Sequence, residues 1–460
     1  MTDGTGMTAT LARWVARTTH ASFPPDVVEA GTRGIVDTLG VMLAGAREPV
    51  TQLLARTVGE DGARAVARQV GGGLRTSPQA AALVNGASGH ALDFDDIHDE
   101  TQGHPSTVIL PAALAVGEQV GASGADVLEA YVLGLEVMAK VGAAIGPRAY
   151  AKGWHATAML GPLGSATAAG KLLGLDADGL ERALAMAVSF AGGSRQNFGT
   201  MTKPLHAGWA ASSGVTAARL AAAGVTASAG ILEAPMGMFA LFEGDASASL
   251  GALGQPYSIA SPGLTVKIHP CCGSTHRSVD AALAVRAASH RRADEIFAVD
   301  VSVPAGEMAA LIYDRPATGL QGKFCLPYTV ARALLDGGLT IETFDDDRIR
   351  EPGVSALMEK VRVTERTGAD DLGAQVRVTY ADGCAPSCTV RHPKGAPGSP
   401  LTRDEVQAKF LACAGRVLGR ARSQAAADAL WGLEGAGPIP FVLDLLDAVE
   451  PPLGAGGTRA

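Results

Sequence analysis

The sequence predicts a mainly α protein: a large all-helical domain built from both ends of the chain, with a smaller α+β domain inserted between them. Three observations carry this. Helical periodicity runs almost unbroken from about residue 8 to 265. Between 268 and 398 short strand-like runs appear around turn sequences, and from 402 to 448 the pattern returns to helix. The expected boundaries are 1–267 with 399–460 for the helical domain and 268–398 for the insertion. A chain of 460 residues also exceeds what one ordinary core serves.

Pro25-Asp26-Val27-Val28 opens a helix running to Gly45, with Ile35, Leu39, Val41, Met42 and Leu43 on its apolar side. Ser77 begins another. Further helices are predicted over 108–120, 124–145, 156–173, 177–192, 207–223 and 227–234. The segments 121–126 and 174–178 separate them with turn-then-cap sequences. Gly161, Gly164, Ser165, Ala168 and Ala169 are small residues at helical spacing, which lets helix axes approach closely. Strands are predicted at 296–303, 361–364, 375–380 and 388–391, the last two joined across Asp382-Gly383. The tail from Pro451 lacks an apolar period and is expected to be loose.

Hydrophobic residues make up 47% and charged residues 18%, as in a compact globular protein. Aromatics are only 5%, so small aliphatics must fill the core. A formal charge of −8 excludes general nucleic-acid binding, which needs a basic surface, but allows a small anion held by local cations. The six cysteines form no Cys-x-x-Cys pair, and no window reaches the roughly 18 apolar residues of a membrane span. The reading is a cytoplasmic, reduced protein without membrane contact. Cys384 and Cys388 face each other across the expected hairpin, where a reducing compartment disfavours a disulfide.

Five polar islands interrupt the apolar pattern. The first, 93–104, holds Asp93, Asp95, Asp96 and Asp99 with His98 and His104, and His90 stands just ahead of it. Charges beside apolar sequence are costly if buried unpaired, so the cluster is expected to face a cleft. Asp93 is read as a general base and His104 as an acid or carboxylate binder; the bland alternative is a helix cap with solvated acids. The second island is Tyr150 to His155. In the third, Gly199 to His206, Lys203 stands before Pro204 at a helix start, where backbone N–H groups add positive field for a carboxylate. The fourth is Lys267 to His276 and the fifth Lys323 to Tyr328. Lysines and histidines spread over these islands suit a substrate with two or three carboxylates.

Metal and cofactor readings are weaker. Cys272 and His276 are four apart, but no second pair has zinc spacing. The cysteine spacing does not suggest an iron–sulfur cluster. Asp95-Asp96-Ile97-His98-Asp99 fits the Asp-Asp-x-x-Asp pattern of magnesium–diphosphate prenyl-transfer enzymes, yet a second metal motif and an aromatic lining are missing. No cofactor and no metal are expected.

Together the islands resemble the MmgE/PrpD family, which includes 2-methylcitrate dehydratase, cis-aconitate decarboxylase and iminodisuccinate epimerase. The residues that carry the resemblance are His90-Ala91-Leu92-Asp93-Phe94-Asp95-Asp96, His104-Pro105-Ser106, Gly153-Trp154-His155-Ala156-Thr157, Gly199-Thr200, and Lys203 to Gly208. Lys267 to His276 and Lys323 to Asp336 complete it, in family order from about residue 8 to 450. The resemblance implies a helical domain, a smaller lid, a cleft between them and a homodimer. It implies site positions at Asp93, His104, His155, Lys203, His276 and Tyr328, with His98, His206 and Lys323 beside Tyr328 in substrate binding. Tyr150 and Lys267 would be the base pair of an epimerase. Ile97 departs from the threonine of decarboxylase- and dehydratase-like members, which removes one hydroxyl.

The leading expectation is a metal-independent lyase that dehydrates or decarboxylates a di- or tricarboxylate through a carboxylate-stabilised carbanion. An epimerase of an amino- or imino-dicarboxylate is the alternative. A catalytically silent metabolite-binding member is a third reading, disfavoured because a scaffold has no reason to gather acids, histidines and lysines.

Overall fold

A computed structural model describes residues 6–245, 250–366 and 373–447; the tail from Pro451 lies outside the described residues. Pro25–Gly45, Pro78–His90, Ser106–Val120, Gly124–Ile145, Ala156–Leu172 and Thr202–Ala222 are the long helices of the body. Their shared core is aliphatic, with Ile35, Leu39, Leu133, Leu135, Met138 and Leu163 all buried. Small residues bring the axes together as expected. A Cβ at Gly164 would stand 3.0 Å from the Gly134 carbonyl oxygen, and one at Gly214 only 2.3 Å from the Ser165 Cβ. Close backbone approach of this kind is how a core with few aromatics reaches full density.

Arg403–Leu418 lies across Pro25–Gly45, with Phe410 seated over Gly40. The end of the chain thus rejoins the helical body. The inserted region carries one four-stranded sheet in the order Val361–Arg366, Ile296–Pro304, Ala374–Tyr380, Ser387–Val390. Ile296–Pro304 pairs parallel with Val361–Arg366 (Val301 opposite Val363) and antiparallel with Ala374–Tyr380 (Val299 opposite Val378). Val299, Val301, Val376 and Val378 face helices Gly273–Ser289 and Leu326–Asp336 to form a second core. The two passages between body and insertion run side by side, the Val266 N–H donating to the Gly395 carbonyl at 3.0 Å.

Four details differ from the sequence reading. Residues 227–234 form turns rather than a helix, because Thr8 accepts from the Leu232 N–H and donates to Glu233. The helix read over 177–192 stops at Val188. The helix read from 207 begins at Thr202, since a proline within the first turn has no partner to lose. A small antiparallel pair, Ala67–Arg68 with Arg75–Thr76, carried no periodic signal. No described helix is long and apolar enough to cross a membrane.

Candidate active site

Four helices begin at one small cavity. His104 precedes the Pro105 cap of Ser106–Val120, His155 caps Ala156–Leu172, Lys203 is in the first turn of Thr202–Ala222, and Cys272 caps Gly273–Ser289. All four residues line the cavity, with Asp93, Tyr150 and Gln102 beside them and Phe198 and Phe324 closing an apolar wall. The cavity is tight, about 40 Å³, far below the 300–1,000 Å³ common for drug-sized ligands, so a bound carboxylate would require its walls to move apart. Helix N-termini present unsatisfied N–H groups and a positive partial charge, so their convergence favours anions.

Asp93 is the hub. It sits in the turn after Pro78–His90 with φ of 51°, a left-handed conformation that aspartate tolerates better than most residues. Lys267 Nζ donates to its Oδ1 at 2.8 Å and to its carbonyl at 2.9 Å; Lys203 Nζ reaches Oδ1 at 3.4 Å. Burial alone would raise this carboxyl, but the Lys203 and Lys267 ammoniums hold it well below the usual range. Burial likewise pulls on Lys267, where Asp93 overrides it and raises the amine, whereas burial prevails at Lys203 and lowers it. Oδ2 of Asp93 is buried with no hydrogen-bond partner.

Behind Asp93 the partners fix a tautomer. Lys203 Nζ donates to His90 Nε2 at 2.6 Å, so His90 Nδ1 carries the proton and donates to Asp95 Oδ2 at 2.8 Å. His104 Nδ1 lies 3.2 Å from the same oxygen, and its Nε2 is 3.8 Å from Asp93 Oδ1. His155 shares a hydrogen bond with His206, Nδ1 to Nδ1 at 3.0 Å. Burial holds these imidazoles neutral: His90 is lowered to about 3, His206 to about 4, and His104 and His155 also fall. Burial pushes the Tyr150 phenol up to about 12, and the Arg195 guanidinium stacks 4.1 Å over its ring.

The structure therefore gathers Asp93, His104, His155, Lys203 and Tyr150 at the cavity, with Lys267 and His206 behind them as hydrogen-bond partners of Asp93 and His155. It does not bring the other expected residues to the cavity. The Tyr328 hydroxyl donates to the Thr343 carbonyl and accepts from Arg332 inside the insertion's core. Lys323 Nζ is taken by the carbonyls of Leu92 and Pro270, both at 2.8 Å. His98 Nε2 faces the Ser258 carbonyl, and His276 Nε2 the Cys271 carbonyl. Ile97 pairs with Thr265 and packs against Gly273. His90, Asp95, Cys272 and Phe324 had stood inside the polar islands without an assigned role. Gln102 and Phe198 gave no signal, since neither type at those positions is distinctive.

One donor atom each from His90, Asp93, Asp95 and His104 lies within 4.8 Å of the others, a spacing that would suit a metal ion. The donor set does not fit one. Lys203 already occupies His90 Nε2, and two ammoniums already crowd Asp93 Oδ1, so a further cation would meet their repulsion. Nor do Asp95, Asp96 and Asp99 converge as a diphosphate motif would. Asp96 turns to Ser106, burial raising it to about 8, and Asp99 is exposed.

A mainly helical body with a smaller α+β region, and a buried Asp–Lys–His cluster among them, define a class of protein that comparison makes specific. Residues 9–250 match the MmgE/PrpD N-terminal domain and 269–433 the MmgE/PrpD C-terminal domain: the chain belongs to the MmgE/PrpD family. It is 28% identical to a cis-aconitate decarboxylase of Aspergillus terreus over 97% of both chains. It is 30% identical to a cis-aconitate decarboxylase of Homo sapiens over 94% of this chain and 93% of that one. Identity to the Mus musculus enzyme of that name is 31% over 75% and 74%.

Proposed function

We propose that the chain is a metal-independent lyase that removes CO2 from a small unsaturated tricarboxylate of the cis-aconitate type. The observation that carries it is the small cavity where four helix N-termini meet the Lys203 ammonium, with Lys267 paired to Asp93 behind its wall. Loss of CO2 from the CH2-carboxylate arm leaves an allylic carbanion, whose charge spreads into the opposite carboxylate. Fixed cations and N–H groups in a dry site stabilise that charge without reorganising. A proton then adds to the far alkene carbon and gives itaconate.

His104 is the proposed proton donor. It is neutral in the free site, but incoming carboxylates raise the proton affinity of a neighbouring imidazole, so substrate and proton arrive together. Asp93 then serves as the charge partner that orients Lys203 and Lys267. A carboxylate held between two ammoniums is too weak a base for the role the sequence suggested. The epimerase reading loses support on the same ground: the Tyr150 phenol is pushed up to about 12 and Lys267 is kept protonated. The named activity of the relatives supports decarboxylation over dehydration. The proposal includes a homodimer, supported by Met201, Trp209 and Leu220, which stand 41%, 49% and 38% exposed on or beside one helix. Light scattering tests that part.

The test of the activity is proton NMR in D2O, with chelator-treated protein and cis-aconitate, 2-methylcitrate or iminodisuccinate in separate tubes. Itaconate signals in the first tube are expected. A new alkene from 2-methylcitrate would make the chain a dehydratase, and deuterium at an α-carbon of iminodisuccinate an epimerase. Calorimetric binding of a tricarboxylate with no turnover would leave a silent binding protein.

A further inference from the structure

Three consecutive backbone carbonyls of the turn that carries Asp93 each accept a hydrogen bond from a different buried lysine. Lys323 Nζ donates to Leu92 O at 2.8 Å, Lys267 Nζ to Asp93 O at 2.9 Å, and Lys409 Nζ to Phe94 O at 2.8 Å. The three lysines come from the lid, from the passage between lid and body, and from the C-terminal helix Arg403–Leu418. Their side chains are 4%, 0% and 7% exposed. Lys409 also pairs with Asp37 Oδ1 at 2.7 Å and lies 4.0 Å over the Phe94 ring.

Burying three ammoniums is expensive unless each is fully engaged. Here the engagement is with backbone, at a turn where the non-glycine residue Asp93 holds φ of 51° beside the cavity. A residue in that region keeps its place only when its surroundings over-determine it. Charge-assisted bonds to the carbonyls before, at and after Asp93 do this, and they leave the carboxylate free to face Lys203 and Lys267.

We infer that Lys409 and Lys323 are positioning residues which, with Lys267, clamp the Leu92–Phe94 turn and thereby fix Asp93 against Lys203. The inference rests on the reading of Asp93 and Lys203 as the reacting site. It replaces the substrate-binding role expected for Lys323, whose ammonium is directed at carbonyls and not at the cavity. Because one clamp member belongs to the lid, the site is complete only when the lid is seated on the body.

The test uses full-length Lys409→Met, Lys409→Arg and Asp37→Asn proteins, read by kcat and KM on cis-aconitate and by hydrogen–deuterium exchange. For Lys409→Met, kcat is expected to fall about 10- to 100-fold with KM within about threefold, the size a small misplacement gives. Exchange should quicken in peptides spanning 91–98 and stay unchanged in Gly124–Ile145. Lys409→Arg should recover most of the loss, since a guanidinium can still donate to Phe94 O. Asp37→Asn keeps that donor but removes the carboxylate paired with it, so kcat should fall less than in Lys409→Met. Wild-type kcat with unchanged exchange at 91–98 overturns the clamp. Quickened exchange throughout the body, without rescue by arginine, also overturns it, by showing a general structural role. Should Lys409→Met not fold, Lys323→Met is read by the same two measurements. If the wild type turns over no polycarboxylate, the proposed function fails while exchange still judges the clamp.

Discussion

Replacing Lys203 by methionine keeps the stem and removes the ammonium. At 3.4 Å and an effective dielectric of roughly 20, its attraction to Asp93 is about 5 kcal/mol before desolvation is counted. Lys267 stays on the same oxygen at 2.8 Å, so Asp93 remains paired and the fold should survive with a melting temperature only a few degrees lower. His90 loses a donor at Nε2 but keeps its bond to Asp95. Charge developing on the substrate loses a fixed cation, a change that elsewhere lowers turnover about 10²- to 10³-fold, or roughly 3–4 kcal/mol of barrier. Itaconate formation from cis-aconitate, followed by NMR or absorbance beside a thermal melt, gives both numbers. A folded variant whose kcat/KM stays within about fivefold of wild type would refute the assignment of Lys203 to the reacting charge.

Asp96 provides a test of buried-charge logic away from the reaction. Its folded pKa is raised to about 8, so the stability tied to its proton is complete below the unfolded value near 4 and is lost as pH rises through about 8. Asp96→Asn should therefore melt higher than wild type at pH 8, with a smaller gain at pH 5; no gain at pH 8 contradicts the shift. The imidazoles carry the opposite sign. His90, His104, His155, His206 and His276 are lowered by burial, so unfolded chains take up protons below about pH 6.5 that the native site refuses. His90 alone then loses about 1.4 kcal/mol per pH unit, and five lowered imidazoles stand against three raised carboxyls, Asp37, Glu48 and Asp96. A lower melting temperature at pH 5 than at pH 7 is expected, and an equal or higher one rejects this balance. Ile97→Thr should change KM for cis-aconitate by less than about threefold, because the side chain packs on Gly273 outside the cavity; a tenfold change would mean that position 97 touches substrate.

The sequence alone determined the mainly helical body, the four strands of the insertion and the family. Periodicity, caps and turns are local properties, and helix Pro25–Gly45 is legible at both ends because Pro and Gly punctuate it there. Residues 227–234 were misread because the Thr8 side chain that engages them lies more than 200 positions away, out of reach of any local pattern. At the site, Asp93, His104, His155 and Lys203 stood out because each is a polar residue at the start or end of an apolar helix. Only tertiary structure decided which of the others share their cavity. Tyr328 and Lys323 carry the same chemistry as Tyr150 and Lys203, yet one is spent on Thr343 and Arg332 and the other on Leu92 and Pro270. Protonation was settled there too. A carboxylate beside two ammoniums and imidazoles kept neutral by burial depend on distances of about 3 Å between segments that are remote in the chain.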